Sequence, residues 1–120
     1  MNLILFYMLV CKHAVADLWL QSRLNGKGEK TDLRSMRLWQ HCIDHTILTF
    51  VVALLFTGIV PALLIAVFDF VTHFAIDYGK AWLQKRKGVK YGTQRYWKWA
   101  TFDQIAHFTV YLIIVLFVFH

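Results

Sequence analysis

The sequence predicts an all-α fold, a bundle of four transmembrane helices that forms a single domain over residues 1–120. Hydrophobic residues make up 58% of the 120 residues, against roughly 45–50% in an average soluble domain. They are gathered in four segments, each close to the roughly 20 residues that cross about 30 Å of hydrocarbon. Basic residues lie between these segments, as they do beside membrane helices.

The first two predicted helices cover residues of about 2–21 and 39–58. Lys12, His13 and Asp17 interrupt the first helix, whereas the second contains the continuous apolar run ILTFVVALLF. Residues 14–16 read Ala-Val-Ala, which resembles a signal-peptide cleavage site. Because no basic residue precedes the apolar run, and Lys12 and His13 break it, we expect that this segment is not cleaved.

The third and fourth predicted helices cover residues of about 61–83 and 101–119. Pro61 fits the first turn of a helix, where its missing N–H costs nothing. Gly58 just before it predicts a tight hairpin after the second helix. Thr101, followed three residues later by Gln104, is typical of a capping box and predicts the start of the fourth helix.

The distribution of basic residues predicts the orientation. Twelve of the 13 Lys and Arg residues lie in or beside the first and third connectors, and the short connector 57–61 has none. The positive-inside rule therefore places both basic connectors in the cytoplasm and both termini outside. We expect a multi-pass protein of a bacterial inner membrane that contacts lipid. The net charge of +6 does not indicate nucleic acid, because the charges flank apolar segments.

Five aspartates and five histidines lie inside the apolar segments. A charged side chain at the centre of a membrane helix costs at least about 2.5–3.5 kcal/mol. Ten such residues therefore need partners or a bound ion. Nine of them lie four residues apart in four stripes, namely His13 and Asp17, His41 and His45, Asp69, His73 and Asp77, and Asp103 and His107.

Residues four apart share one face of a helix. The predicted topology also places all four stripes in the cytoplasmic half of the membrane, which indicates one common site. Imidazole and carboxylate suit Zn²⁺ first, with Mn²⁺ or Fe²⁺ as alternatives. The predicted ligands are His13, Asp17, His41, His45, Asp69, His73, Asp77, Asp103 and His107.

These nine residues exceed the four ligands that a tetrahedral ion takes. A pair of ions about 3.5–4 Å apart would use them better. Asp44 and Gln104 lie beside the stripes and are predicted to orient the ligands. The alternative is that the stripes are hydrogen bonds and salt bridges that hold the helices together.

The stripes resemble a family of short bacterial and phage membrane proteins classed as a domain of unknown function. The similar pieces span nearly the whole chain, and they are His13-x-x-x-Asp17-x-x-Leu20-Gln21, His41-x-x-x-His45, His73-x-x-x-Asp77-x-x-Lys80 and Asp103-Gln104-x-x-His107. More distantly, the chain is similar to inner-membrane proteins described as metal-dependent hydrolases. The resemblance implies metal binding and makes Gln21 and Lys80 candidates for function. Asp44 and Asp69 are not part of the pattern.

Together, the polar stripes, the topology and the resemblance predict a metal-dependent hydrolase that acts at the cytoplasmic leaflet on a lipid-linked phosphate ester. Asp69 or Asp103 would accept the proton of the attacking water. Lys80 would bind the phosphate charge, or else pair with Asp77 at the membrane surface.

Three other functions remain open from the sequence. Transport or sensing of a divalent cation or of protons could use the same stripes, although the outer halves of the segments are almost purely apolar. A diiron oxidase is disfavoured, because no HxxHH cluster is present. A non-catalytic membrane protein could use the metal only to stabilise its fold. A homodimer would help to enclose the site, since four short helices barely do so.

Overall fold

The computed structural model describes residues 2–20 and 36–119. The helices are α1 (Leu3–Ala14), continued by a π-helical segment (Val15–Leu20), α2 (Met36–Leu54), α3 (Ile59–Arg86) and α4 (Gln94–Val118). No strand occurs in the part of the chain that the structure describes. The prediction of an all-α, four-helix fold is confirmed.

The start of the chain is capped by a polar side chain. The Asn2 carboxamide oxygen accepts hydrogen bonds from the backbone N–H groups of Ile4 (2.9 Å) and Leu5 (3.2 Å), which satisfies donors that the first helical turn leaves free. After Ala14 the helix widens into the π-helical segment. Such segments are frequent at functional sites, and this one carries Asp17.

The predicted hairpin between the second and third helices is present with shifted ends. The second helix stops at Leu54, before the predicted end. Gly58 has extended backbone angles and caps the third helix, so Pro61 lies in its first turn rather than at its first position. The hydroxyl of Thr57 donates to the Ala53 carbonyl oxygen at 2.9 Å, which closes the turn.

The fourth helix begins about two turns before the predicted capping box. The hydroxyl of Thr93 accepts the backbone N–H of Tyr96 at 3.2 Å and so caps the helix. Thr101 instead donates to the Trp97 carbonyl oxygen at 2.9 Å inside the helix. A threonine bonded back to the preceding turn fits a helix interior, which explains the difference.

Three of the described helices are long and apolar enough to cross a membrane: Leu3–Leu20, Ile59–Arg86 and Gln94–Val118. The α2 helix is not among them, because polar residues such as Gln40, His41 and Asp44 occupy its first half. Large apolar side chains such as Leu63 and Leu64 point outward. These features indicate a membrane protein.

The four helices pack in a ring. Each contacts its neighbours along the chain, and α1 also contacts α4. One end of the bundle has an apolar core made of Leu5, Leu9, Val52, Ala53, Ala62, Ile65, Tyr111, Ile114 and Val115. The other end encloses the histidines and aspartates, which are buried although they are polar.

Candidate metal centre

The four polar stripes converge inside the bundle. The imidazole centroids of His45 and His73 are 3.8 Å apart, and those of His73 and His107 are 4.1 Å apart. His41 lies 4.6 Å from His45, and His13 lies 5.0 Å from both His45 and His107. All five rings are buried. The structure therefore brings together five imidazoles from all four helices.

The Asp17 carboxylate, on the π-helical segment, meets three of these rings. Its Oδ2 lies 2.8 Å from His13 Nε2. Its Oδ1 lies 3.2 Å from His41 Nε2 and 2.9 Å from His45 Nε2. The Asp17 side chain is 23% exposed, so this side of the cluster reaches the surface of the described part of the chain.

The Asp77 carboxylate faces rings on both of its sides. Its Oδ2 lies 3.3 Å from His41 Nε2 and 3.2 Å from His73 Nε2. Its Oδ1 lies 3.0 Å from His107 Nε2, on α4. One carboxylate thus contacts imidazoles from α2, α3 and α4.

The third carboxylate of the cluster, Asp103, lies near the more open end. Its Oδ1 is 3.3 Å from His107 Nε2, and its Oδ2 is 3.3 Å from Lys80 Nζ. The Gln104 amide donates to Asp17 Oδ2 at 3.3 Å and to Asp103 Oδ2 at 3.4 Å. Gln104 therefore links two carboxylates, and its orienting role stays a prediction.

The described residues contain three groups of possible metal ligands, and within each group the ligand atoms lie within 4.8 Å of one another. The first and third groups share no residue, and His73 and His107 connect them through the second. Asp77 belongs to the third group and also contacts two members of the first. The groups are Asp17, His41, His45 and His73, then His13, His73 and His107, and finally Asp77, Asp103 and His107.

Several buried ligand atoms have no hydrogen bond within the described residues. They include both ring nitrogens of His73, Nε2 of His13 and Oδ1 of Asp103. His73 Nε2 lies only 3.2 Å from Asp77 Oδ2, so the atoms are close without being aligned for a hydrogen bond. An unsatisfied buried polar group costs about 1–3 kcal/mol, which a bound ligand would remove.

The spacing of these atoms fits a shared ion. With metal–ligand bonds of about 2.1 Å, neighbouring ligand atoms lie about 3.0 Å apart in an octahedron and about 3.4 Å apart in a tetrahedron. The nitrogen–oxygen distances around Asp17 and Asp77 run from 2.8 to 3.3 Å. The same distances are typical of hydrogen bonds, so the spacing is compatible with a shared divalent ion but does not require one, and the metal stays a prediction.

The charge of the cluster is compatible with a bound cation. With neutral imidazoles, Asp17, Asp77 and Asp103 together carry three negative charges, and Lys80 balances one of them. Two negative charges remain in a buried cluster, where an uncompensated charge is costly. A divalent cation would balance them, and so would the protonation of two imidazoles.

Asp69 lies outside the three groups, one layer nearer to the apolar core. Its Oδ2 accepts hydrogen bonds from the Lys12 ammonium at 3.3 Å and from the Thr49 hydroxyl at 2.7 Å. Both charged side chains are buried, with 4% and 1% of their surface exposed. The structure thus places Asp69 in a buried salt bridge, and its roles as ligand and proton acceptor stay predictions.

Lys12 also affects the protonation of His45. The ammonium can only donate, so His45 Nδ1, at 3.2 Å, accepts from it. The ring proton of a neutral His45 then lies on Nε2, which donates to Asp17 Oδ1 at 2.9 Å. In this arrangement His45 orients Asp17, and its role as a ligand stays a prediction.

Sequence reasoning missed two residues of this layer, namely Thr49 and Tyr111. The Tyr111 hydroxyl lies 2.7 Å from His13 Nδ1 and fixes that ring. Thr49 and Tyr111 each lie four residues beyond a stripe histidine, so extending the stripes by one turn would have found them.

Two further predicted residues, Asp44 and Gln21, have different outcomes. Asp44 is buried, accepts a hydrogen bond from the Gln40 amide at 3.5 Å and is not part of the three groups. Gln21 lies outside the described residues.

Comparison with known proteins shows the family but assigns no activity. Residues 4–120 match a family described as "Protein of unknown function (DUF3307)", and the chain therefore belongs to this family. No curated protein and no solved structure matches the chain. The prediction of an uncharacterised family is confirmed, and the predicted likeness to metal-dependent hydrolases finds no support among these matches.

Proposed function

We propose that this protein is a membrane-embedded hydrolase that binds divalent metal, with Zn²⁺ the first expectation, and cleaves a lipid-linked phosphate ester. The single observation that carries the proposal is the position of Asp77. One of its oxygens contacts imidazoles from α2 and α3, and the other contacts His107 from α4. A carboxylate in this position could contribute one oxygen to each of two ions.

Divalent ions held here would acidify a water molecule and offset the charge of a phosphoryl group. The chain itself supplies the proton acceptor. Asp103 suits this role better than Asp69, because its Oδ1 has no hydrogen bond within the described residues. Asp69 Oδ2, by contrast, accepts from both Lys12 and Thr49.

The proposed reaction is the hydrolysis of a phosphate monoester. The water oxygen forms a bond to phosphorus, and the bond from phosphorus to the lipid oxygen breaks. Asp103 accepts the proton of the water and returns it to the leaving oxygen, which gives inorganic phosphate and an alcohol. The Lys80 ammonium, 22% exposed and 3.3 Å from Asp103 Oδ2, is positioned to bind the phosphate charge.

The proposed location is the cytoplasmic leaflet of a bacterial inner membrane, with both termini outside. Lys85 and Arg86 lie in the last turn of α3, beyond Asp77 and Lys80 on the same helix. The positive-inside rule places this end in the cytoplasm. The site would then lie just inside the headgroups, where a lipid phosphate is within reach.

The apolar end of the bundle argues against transport. Leu5, Leu9, Val115 and their neighbours fill the interior beyond the site, and the buried pair of Lys12 and Asp69 lies between. A pathway for ions would need polar groups across the full thickness. A structural, non-catalytic metal site is the second candidate, and the burial of all five histidines favours it.

Elemental analysis of the protein purified in detergent tests the metal. We expect about one to two divalent ions per chain, together with a loss of thermal stability in a chelator. Fewer than about 0.3 ions per chain, with unchanged stability in chelator, would contradict metal binding.

A phosphatase assay separates the enzyme from the structural site. Asp103→Asn should retain at least one ion but lose about 10²- to 10⁴-fold in kcat, because it removes the proton acceptor. Asp77→Ala should lose both metal and activity. Thr72→Val is the matched control on α3, since its hydroxyl donates only to backbone carbonyls of its own helix. Equal activity in all variants would reject the hydrolase and leave the structural site.

A further inference from the structure

An apolar groove opens between α3 and α4, deeper in the bundle than the metal-binding groups. Its volume is about 290 Å³, which is close to the lower limit for small-molecule sites. All of its walls are apolar side chains from these two helices. The lining residues are Leu64, Ile65, Phe68, Ile113, Ile114 and Phe117.

The same two helices hold one end of the proposed active site. Lys80 on α3 contacts Asp103 on α4, and Asp77 contacts His107. The two helices run antiparallel. The groove residues of α3 precede Lys80, and the groove residues of α4 follow Asp103, so both sets lie on the same side of the Lys80–Asp103 contact. The groove and the phosphate-binding end therefore belong to one interface between two helices.

The distance between them matches a hydrocarbon chain. At 1.5 Å per residue, the level of Phe68 lies about 18 Å from that of Lys80, and the level of Leu64 about 24 Å. The hydrocarbon of one leaflet is about 15 Å thick, half of the bilayer core, so the groove begins beyond the middle of the bilayer and only a chain longer than one leaflet reaches it. A lipid whose phosphate is at Lys80 would thus place the far part of a long chain at the groove.

We propose that the groove binds the hydrocarbon chain of the substrate, which is a phosphate monoester carried on a single long chain. This inference rests on the proposed function and adds the substrate class to it. The small volume favours one chain over the two chains of a common phospholipid. Since the chain comes from lipid and not from water, the groove contributes packing and positioning rather than hydrophobic free energy.

A chain-length series tests the inference. The metal-loaded protein in detergent is assayed with alkyl phosphates from butyl to hexadecyl. The wild type should favour hexadecyl phosphate over butyl phosphate by at least about tenfold in kcat/KM. Ile113→Trp fills the groove and should remove roughly this preference, while butyl phosphate hydrolysis and metal content stay unchanged. Leu63→Trp, on the exposed face of α3 and outside the groove, should behave as the wild type.

The outcomes separate the two proposals. Equal rates on butyl and hexadecyl phosphate in the wild type would overturn the groove assignment and leave the hydrolase standing. An equal loss in Ile113→Trp and Leu63→Trp would do the same. A metal-loaded protein that hydrolyses no alkyl phosphate contradicts the proposed function, and this inference fails with it.

Photolabelling gives a readout that does not depend on turnover. Hexadecyl phosphate with a diazirine at the chain end should label residues 64–68 and 113–117, and unlabelled hexadecyl phosphate should displace it. Hexadecanol, which lacks the phosphate, should not displace it. Labelling spread evenly over the lipid-facing residues, or labelling unchanged in Ile113→Trp, would show bulk lipid in the groove and overturn the proposal.

Discussion

The two ends of the bundle are built from the same four helices but have opposite interiors. One interior is packed with residues such as Leu9 and Val115, and the other with five histidines and three aspartates. At both ends, apolar side chains cover the outer surface of the bundle. In a membrane the exterior of a helix bundle is apolar throughout, so its function lies in the interior. An apolar interior is stabilised by packing alone. In the polar interior, by contrast, some buried nitrogen and oxygen atoms have no hydrogen bond within the described residues.

A layer of four residues joins the two ends, namely Lys12, Thr49, Asp69 and Tyr111. The Tyr111 ring belongs to the apolar core, while its hydroxyl contacts His13. The Lys12 ammonium lies 4.6 Å from the centre of this ring and pairs with Asp69. The charges of Lys12 and Asp69 thus compensate each other, whereas the three carboxylates of the metal-binding groups exceed the single Lys80 that pairs with them when the imidazoles are neutral. We therefore expect metal to matter only on the polar side of this layer.

The largest effect should come from His73→Ala. His73 belongs to two of the three groups, and neither of its ring nitrogens has a hydrogen bond within the described residues. Loss of a ligand should weaken metal binding by more than about 100-fold, as measured by metal titration in detergent. Thr72→Val should bind metal normally. If His73→Ala bound metal with wild-type affinity, the proposed metal site at the polar end would be contradicted. The two ends would then differ only in polarity.

Removing one partner of the Lys12–Asp69 pair should have the next largest effect. The loss of stability should be measurable in the absence of metal. Asp69→Leu leaves the Lys12 ammonium buried without its carboxylate, which should destabilise the protein by about 3–5 kcal/mol. The double variant Lys12→Met, Asp69→Leu should recover most of this loss, because neither charge remains. Unfolding in the presence of chelator measures both. A double variant as unstable as the single one would show that the pair is not the cause.

The apolar end should respond to packing alone. Leu9→Ala creates a cavity in the fully buried part of the core and should cost about 2–4 kcal/mol. The metal content and the stabilisation by metal should stay at the wild-type values. Leu3→Ala, at a position that is 67% exposed on the same helix, should cost little. If Leu9→Ala also lost metal, the two ends would be coupled more closely than the structure indicates.

The smallest effect should come from Gln104→Leu, which removes the amide between Asp17 and Asp103. Metal affinity should fall about 10- to 100-fold without a change in stoichiometry, as is usual for groups that orient ligands. Gln94→Leu, at the exposed first residue of α4, is the control. An unchanged affinity in Gln104→Leu would show that the carboxylates are held by other contacts.

Helix number and the polar stripes could be predicted from the sequence because both depend on local geometry. A spacing of four residues places His41 and His45 on one face of any α-helix. The same rule, continued by one turn, reaches Thr49 and Tyr111. The helix ends were harder to predict, because a cap depends on which of several polar residues the turn uses. Thr93 rather than Thr101 caps the last helix.

By itself, the sequence therefore determined an all-helical membrane fold with its polar residues in stripes, since apolar length and helical periodicity are properties of single segments. Only the tertiary structure separated the members of one stripe. Asp69 pairs with Lys12, while Asp77, two turns further along α3, lies between imidazoles of three helices. The reason is physical: the partner of a buried carboxylate depends on the register between neighbouring helices, which packing decides.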